Sequence, residues 1–275
     1  MRARAEAPAA HALARLYSLP PQRAALSALL GIEAEINASV RPGMEHAVAH
    51  ARLRWWREEC ARCTHGDARH PLTRALASSL GGAPPEALAG LGGLVDTATW
   101  DLAHATFESR PELDGYCQRW SGAMLEPLVR LAAPASTAAA ALGMPLRELE
   151  LLLAVVPEAR AGRVRLPLDE LERAGADPAA LARPPFAAAL TLLLQQRHQL
   201  LRRALAEAVV ALAPALQAQL RGLLVWVALT SQHSRAAERA LPAAALNCDH
   251  HAPLDGWRAW RAARRAAAGS SRLSR

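Results

Sequence analysis

The chain has no lysine: all 32 basic residues in its 275 are arginine. Beside so much alanine and glycine, this reads as a compositional bias rather than an arginine-specific role. Aromatic residues make up only 4%. No stretch sustains a two-residue alternation of Val, Ile and aromatics, which excludes a sheet-based fold. Four irregularly spaced cysteines exclude a disulfide-held scaffold and point to a reducing compartment. No window of about twenty residues is apolar without charge or proline, so no membrane span is expected. The N-terminal stretch lacks the compact apolar core of a signal peptide. The expectation is a cytoplasmic protein that at most touches the inner face of a membrane. Gly-rich phosphate loops, Gly-x-Ser-x-Gly elbows and His-Glu-x-x-His pairs are missing too. No aspartate occurs before Asp67.

What remains is a helix-forming chain. Hydrophobic residues reach 52%, with alanine and leucine, both good helix formers, supplying much of that share. The length suits one large domain. Prolines and glycines divide the sequence into helices over 23–39, 42–63, 94–104, 111–131, 135–155, 185–212 and 214–239. Short ones follow Pro71 and cover 168–174. Pro127 should kink or end its helix, Pro145 should interrupt the next, and a loop should run from Pro157 to Pro167. About ten helices with short connections predict an all-α, single-domain bundle. Residues 1–12 are expected to be flexible, 13–248 to form the α domain, and 249–275 to be a basic Trp/Arg segment.

Five runs, in order, carry a resemblance. They are Leu19-Pro20-Pro21-Gln22-Arg23, Arg52-Leu53-Arg54-Trp55-Trp56-Arg57-Glu58, Asp96-Thr97-Ala98-Thr99-Trp100-Asp101-Leu102, Leu113 to Gly122, and Gly162-Arg163 with Leu166-Pro167. Together they resemble the squalene/phytoene synthases over roughly residues 13–265. The resemblance implies the isoprenoid-synthase helical bundle with a central cavity. In active members it implies head-to-head joining of two prenyl diphosphates. Such chemistry needs Mg²⁺, a hard cation with oxygen ligands, to neutralise the leaving diphosphate. The family supplies those ligands from two Asp-x-x-x-Asp motifs, whose spacing puts both carboxylates on one helix face.

By the family's spacing the first motif falls on Asn37, Ala38 and Arg41, with the family arginine at Ala34; the second falls on Ala154 and Glu158. The expected acids are mostly missing. The remaining catalytic candidates are Glu33, Glu35, Asp96, Asp101 and Glu158, although Glu33 and Glu35 point to different sides of a helix. Arg160 and Arg163 match diphosphate-binding positions, and Arg165 replaces a tyrosine. These arginines either bind phosphate without metal or pair with Asp169, Glu170 or solvent. The resemblance therefore implies a member without metal-dependent condensation, needing no cofactor, that binds an isoprenoid, a lipid or a protein partner. A branch with similarly lost acids includes an assembly factor for mitochondrial complex I, and Ile32-Glu33-Ala34-Glu35 resembles its first motif. The opposing expectation is an active prenyltransferase with a rebuilt Mg²⁺ site.

Two further groups stand outside that resemblance. Cys60, Cys63, His65 and His70, with Cys248-Asp249-His250-His251, have spacings a zinc ion accepts. With no second Cys-x-x-Cys, ordinary loop residues are the simpler reading. The net charge of +7 is concentrated at Arg258, Arg261, Arg264, Arg265, Arg272 and Arg275. A helix there brings Trp257 and Trp260 together, with Arg261 beside them. That face suits either a membrane interface or packing on the bundle. Nothing interleaves this charge with a nucleic-acid module, so no nucleic-acid partner is expected.

Overall fold

The computed structural model describes residues 9–41, 43–81, 83, 85–243, 254–271 and 273. Among these residues there are fourteen α-helices and no strand. They are α1 (Ala9–Tyr17), α2 (Pro20–Ala38), α3 (His46–Thr64), α4 (Pro71–Ser79), α5 (Gly93–Leu102), α6 (Arg110–Met124) and α7 (Glu126–Ala132). The second half holds α8 (Ala138–Leu153), α9 (Val155–Arg160), α10 (Leu168–Arg173), α11 (Ala188–Ala211), α12 (Pro214–Gln219), α13 (Arg221–Ala240) and α14 (Asp255–Ala267). The all-α expectation is met. Residues 9–12, expected to be flexible, form the first turns of α1. The cysteine–histidine run 248–251 lies outside the described residues.

Proline explains where the helix boundaries agree with expectation and where they differ. Pro127 does end its helix early: α6 stops at Met124, and α7 restarts with Pro127 in its first turn, where a missing N–H costs no bond. Pro157 sits in the first turn of α9 in the same way, so the expected loop starts later, at Ala161. Pro145, by contrast, does not interrupt α8, although it removes one backbone bond. Pro145 is buried, and α8 packs on α6, α11 and α13; that packing holds the helix through the defect. The expected helix from Pro214 is divided at Leu220 into α12 and α13.

α13 is the central helix. From Gly222 to Ser234 nearly every residue is buried, as for a helix enclosed on all sides, and α1, α8, α11 and α14 pack around it. Between α6 and α8 the backbones come very close. A Cβ on Gly143 would lie 2.0 Å from Ser121 Oγ, so only glycine fits. This close approach seats Trp120 and Arg147, each near the crossing, against one another.

Buried charges elsewhere are compensated. Arg110 makes a paired contact with Glu148, which also receives Arg197, and Arg197 bonds Glu170. This cluster ties α6, α8, α10 and α11 together. Removing one partner from such a set would leave a buried charge uncompensated.

Candidate functional site

Side chains from seven helices and one loop converge in the middle of the bundle. On α6, Tyr116 and Trp120 are one turn apart and share a face. On α8, Arg147 and Glu150 do the same. Trp120 Nε1 donates to Glu33 Oε1 of α2 at 2.7 Å, and Trp226 Nε1 of α13 donates to Glu150 Oε1 at 2.9 Å. Trp120 and Trp226 are among the largest fully buried side chains and meet edge to face, 5.8 Å between centroids.

Arg147 is the hub. Its guanidinium lies 3.8 Å from Glu33 and 3.3 Å from Glu150, donates to the Tyr116 hydroxyl at 3.2 Å, and sits 5.1 Å over the Trp120 ring. Burial alone would favour a neutral Arg147, but Tyr116, Glu33 and Glu150 hold its pKa well above the usual value. Burial likewise opposes charge on Glu150; the contacts from His11 and Arg147 outweigh it and keep the carboxyl below its usual range. Desolvation dominates at Tyr116, whose phenol is pushed up.

A second group adjoins through Tyr116, whose hydroxyl reaches Asp101 of α5 at 3.3 Å. Arg165 bonds Asp101 at 2.7 Å and Glu158 of α9 at 2.7 Å. Arg163 makes a two-pronged contact with Glu158 at 2.7 and 2.8 Å. Burial raises the Glu158 pKa, yet the bonds from Arg163 and the charge of Arg165 win and bring it down to about 2.

The backbone explains why these arginines arrive there. Gly162 has φ +80°, a conformation that strains any residue with a Cβ. Gly162 N–H bonds the Ala159 carbonyl and Arg163 N–H bonds the Glu158 carbonyl, a Schellman stop to α9. The chain thus turns back and lays Arg163 and Arg165 beside Glu158. Leu166 is buried, and Leu168 N–H donates to the Phe107 carbonyl at 2.8 Å, pinning the other end of the loop.

The candidates from the sequence divide between this centre and the surface. Glu33, Asp101, Glu158 and Arg163 lie in the network. Glu35 is exposed on α2. Asp96 pairs with Arg57 at 2.8 Å on an open surface. Arg160 is exposed and donates to the Ala182 carbonyl at 3.0 Å. Asn37 and Arg41 are exposed as well. Trp257 and Trp260 stand on the outer face of α14, 53% and 44% exposed, under Arg261 and Arg264 respectively.

Sequence reasoning missed Arg147, Glu150, Tyr116, Trp120, Trp226 and His11. The i, i+3 pair Arg147 and Glu150 on an otherwise leucine-rich helix was the available signal. Of the zinc candidates, burial pushes the Cys60 thiol up to about 12 and the Cys63 thiol up to about 11. His70 accepts from Leu72 N–H as a helix cap, and His65 contacts the Ala61 carbonyl; neither ring is directed with the thiols at a common point.

A divalent metal needs carboxylate oxygens free to ligate it. In this centre Glu33, Glu150, Asp101 and Glu158 are each in contact with a guanidinium, so the donors fit arginine and do not fit Mg²⁺.

The squalene/phytoene synthase family model matches residues 6–258. The chain belongs to the squalene/phytoene synthase family. Its fold is similar to a crystal structure of a dehydrosqualene synthase in complex with ligand, with TM-score 0.76 at 16% identity over 94% of this chain and 90% of that one. It is also similar to the squalene synthase HpnC from Alicyclobacillus acidocaldarius, with TM-score 0.65 at 18% identity over 83% and 87%. No curated protein sequence matches it. The isoprenoid-synthase architecture expected from the sequence is therefore shown. The family is one of head-to-head prenyltransferases acting on isoprenoid diphosphates.

Proposed function

We propose that this member of the family has lost metal-dependent condensation and acts as an isoprenoid- or lipid-binding or assembly-type protein at a membrane surface. One observation carries the reading: the inward carboxylates near the two motif positions are neutralised by arginine. Glu158 holds Arg163 and Arg165, and Glu33 faces Arg147. A diphosphate leaving group needs positive charge free to neutralise it, whereas these guanidinium groups are already engaged. The opposing reading, an active prenyltransferase, draws on the same arginines, because arginine binds phosphate oxygens bidentately. It requires diphosphate to displace Glu158 from Arg163 and a metal site to be rebuilt nearby.

The membrane element of the proposal rests on α14. Among the described residues no helix is long and apolar enough to cross a bilayer. The outer face of α14 instead alternates exposed tryptophan with stacked arginine, which suits an interface.

Turnover decides between the readings. Purified protein is given farnesyl or geranylgeranyl diphosphate with Mg²⁺ or Mn²⁺ and NADPH, and pyrophosphate and hydrocarbon are followed together. No release above a boiled control is expected. Product that disappears in Glu158→Ala would overturn the proposal.

A further inference from the structure

A cavity of about 300 Å³ lies between α13 and α14, away from the central network. Its polar lining is Ser231, Gln232 and Arg235 of α13 with Arg258, Arg261 and Arg265 of α14. The three α14 arginines recur at i, i+3 and i+7, so they form one stripe along the helix. Among the described residues no carboxylate lines this cavity. Arg258 has a partner in Asp255 at 3.1 Å, and Arg261 lies over the Trp257 ring. Burial first, and then the charges of Arg202 and Arg239, lower the Arg235 pKa.

Two buried hydroxyls add an independent observation. Ser231 is 3% exposed and Ser271 8%, and neither Oγ has a hydrogen-bond partner among the described residues. Buried polar groups are ordinarily satisfied, so these two are exceptions in the cavity wall. The chain is folded back deliberately to bring Ser271 there. Gly269 at φ +62° ends α14 with bonds from Gly269 to Ala266 and from Ser270 to Arg265, and Ser271 N–H donates to Gln217 at 2.8 Å. The rest of the wall is apolar: Val209, Leu224, Ala228, Ala262 and Leu273, with the Trp257 ring at its edge.

Guanidinium groups and hydroxyls together match phosphate oxygens, and an apolar floor beside them suits a hydrocarbon chain. We infer that the cavity binds the phosphate headgroup of an anionic lipid and the beginning of its chains. The inference rests on the reading of α14 as a lipid-facing helix, and not on the loss of condensation activity.

Calorimetry with dihexanoyl phosphatidic acid, a soluble probe, tests it. One saturable site is expected, with dihexanoyl phosphatidylcholine and inorganic phosphate each about tenfold weaker or more. Ala228→Phe fills the cavity and should abolish binding with helicity unchanged. Arg265→Gln, at an exposed position, should weaken it about threefold or more and keeps the test open should Ala228→Phe misfold. Absence of saturation, equal binding of both lipids, or indifference to both variants overturns the inference. Inorganic phosphate binding as tightly as the lipid reduces the site to a free-anion site and overturns it too. Binding of vesicles without binding of the soluble lipid sinks the cavity alone; the reverse sinks the reading of α14.

Discussion

In the centre of the bundle Arg147, Arg163 and Arg165 each meet at least one carboxylate within 3.3 Å. Between α13 and α14, Arg258, Arg261 and Arg265 line a cavity whose described wall holds no acid, and Asp255 pairs with Arg258. The same residue type therefore does two jobs. In the interior, arginine is the counter-ion that allows carboxylates to remain charged without solvent. At the edge, arginine stacked on tryptophan keeps its donors available to an outside anion. The bundle thus carries its neutralised charge inside and its accessible charge at the rim.

The comparison breaks most visibly at Arg147. Arg147→Ala strands Glu33 and Glu150 in the interior, and losing one partner of a buried pair costs about 3–5 kcal/mol. Arg265→Ala, at the exposed rim, should stay within about 0.5 kcal/mol. Urea unfolding of both variants measures this. Equal losses would remove the distinction between internal and available arginines.

Acid sharpens it further. The Glu158 carboxyl, ordinarily near 4.5, is held down to about 2 in the folded chain. A depressed carboxyl contributes stability in full above the unfolded value and loses it as pH falls toward 2. The contribution amounts to at most about 3 kcal/mol at neutral pH. Thermal unfolding between pH 6 and pH 3 should therefore show a steeper fall for the native chain than for Glu158→Gln. Parallel curves would mean that the arginines do not hold Glu158 ionised.

What was legible in the sequence follows from range. Helix formers and prolines act locally, so most helices could be placed, whereas Gly162 and Arg163 were reached through the family resemblance. Pro145 was misread because the packing that keeps α8 continuous involves α6, α11 and α13, all distant in sequence. The centre was half legible for a similar reason. Glu33, Asp101, Glu158 and Arg163 were found by their places near motifs, but the pairing of each acid with its arginine was not. Arg147 and Arg165 become meaningful only when α2, α5, α6, α8 and α9 are brought together. Spacing along one helix had no means of assigning an arginine to the acid it neutralises.

The smallest expected effect lies on α14. If its outer tryptophans contact a bilayer, Trp257→Ala or Trp260→Ala should weaken binding to vesicles containing anionic phospholipid about fivefold, roughly 1 kcal/mol, in a sedimentation assay. Folding stability should hardly change, because both rings are about half exposed. Added salt should weaken the native chain further by screening Arg261 and Arg264. Loss of stability without loss of vesicle binding would reassign the tryptophans to packing. The rim would then differ from the centre in charge pairing but not in what it offers a membrane.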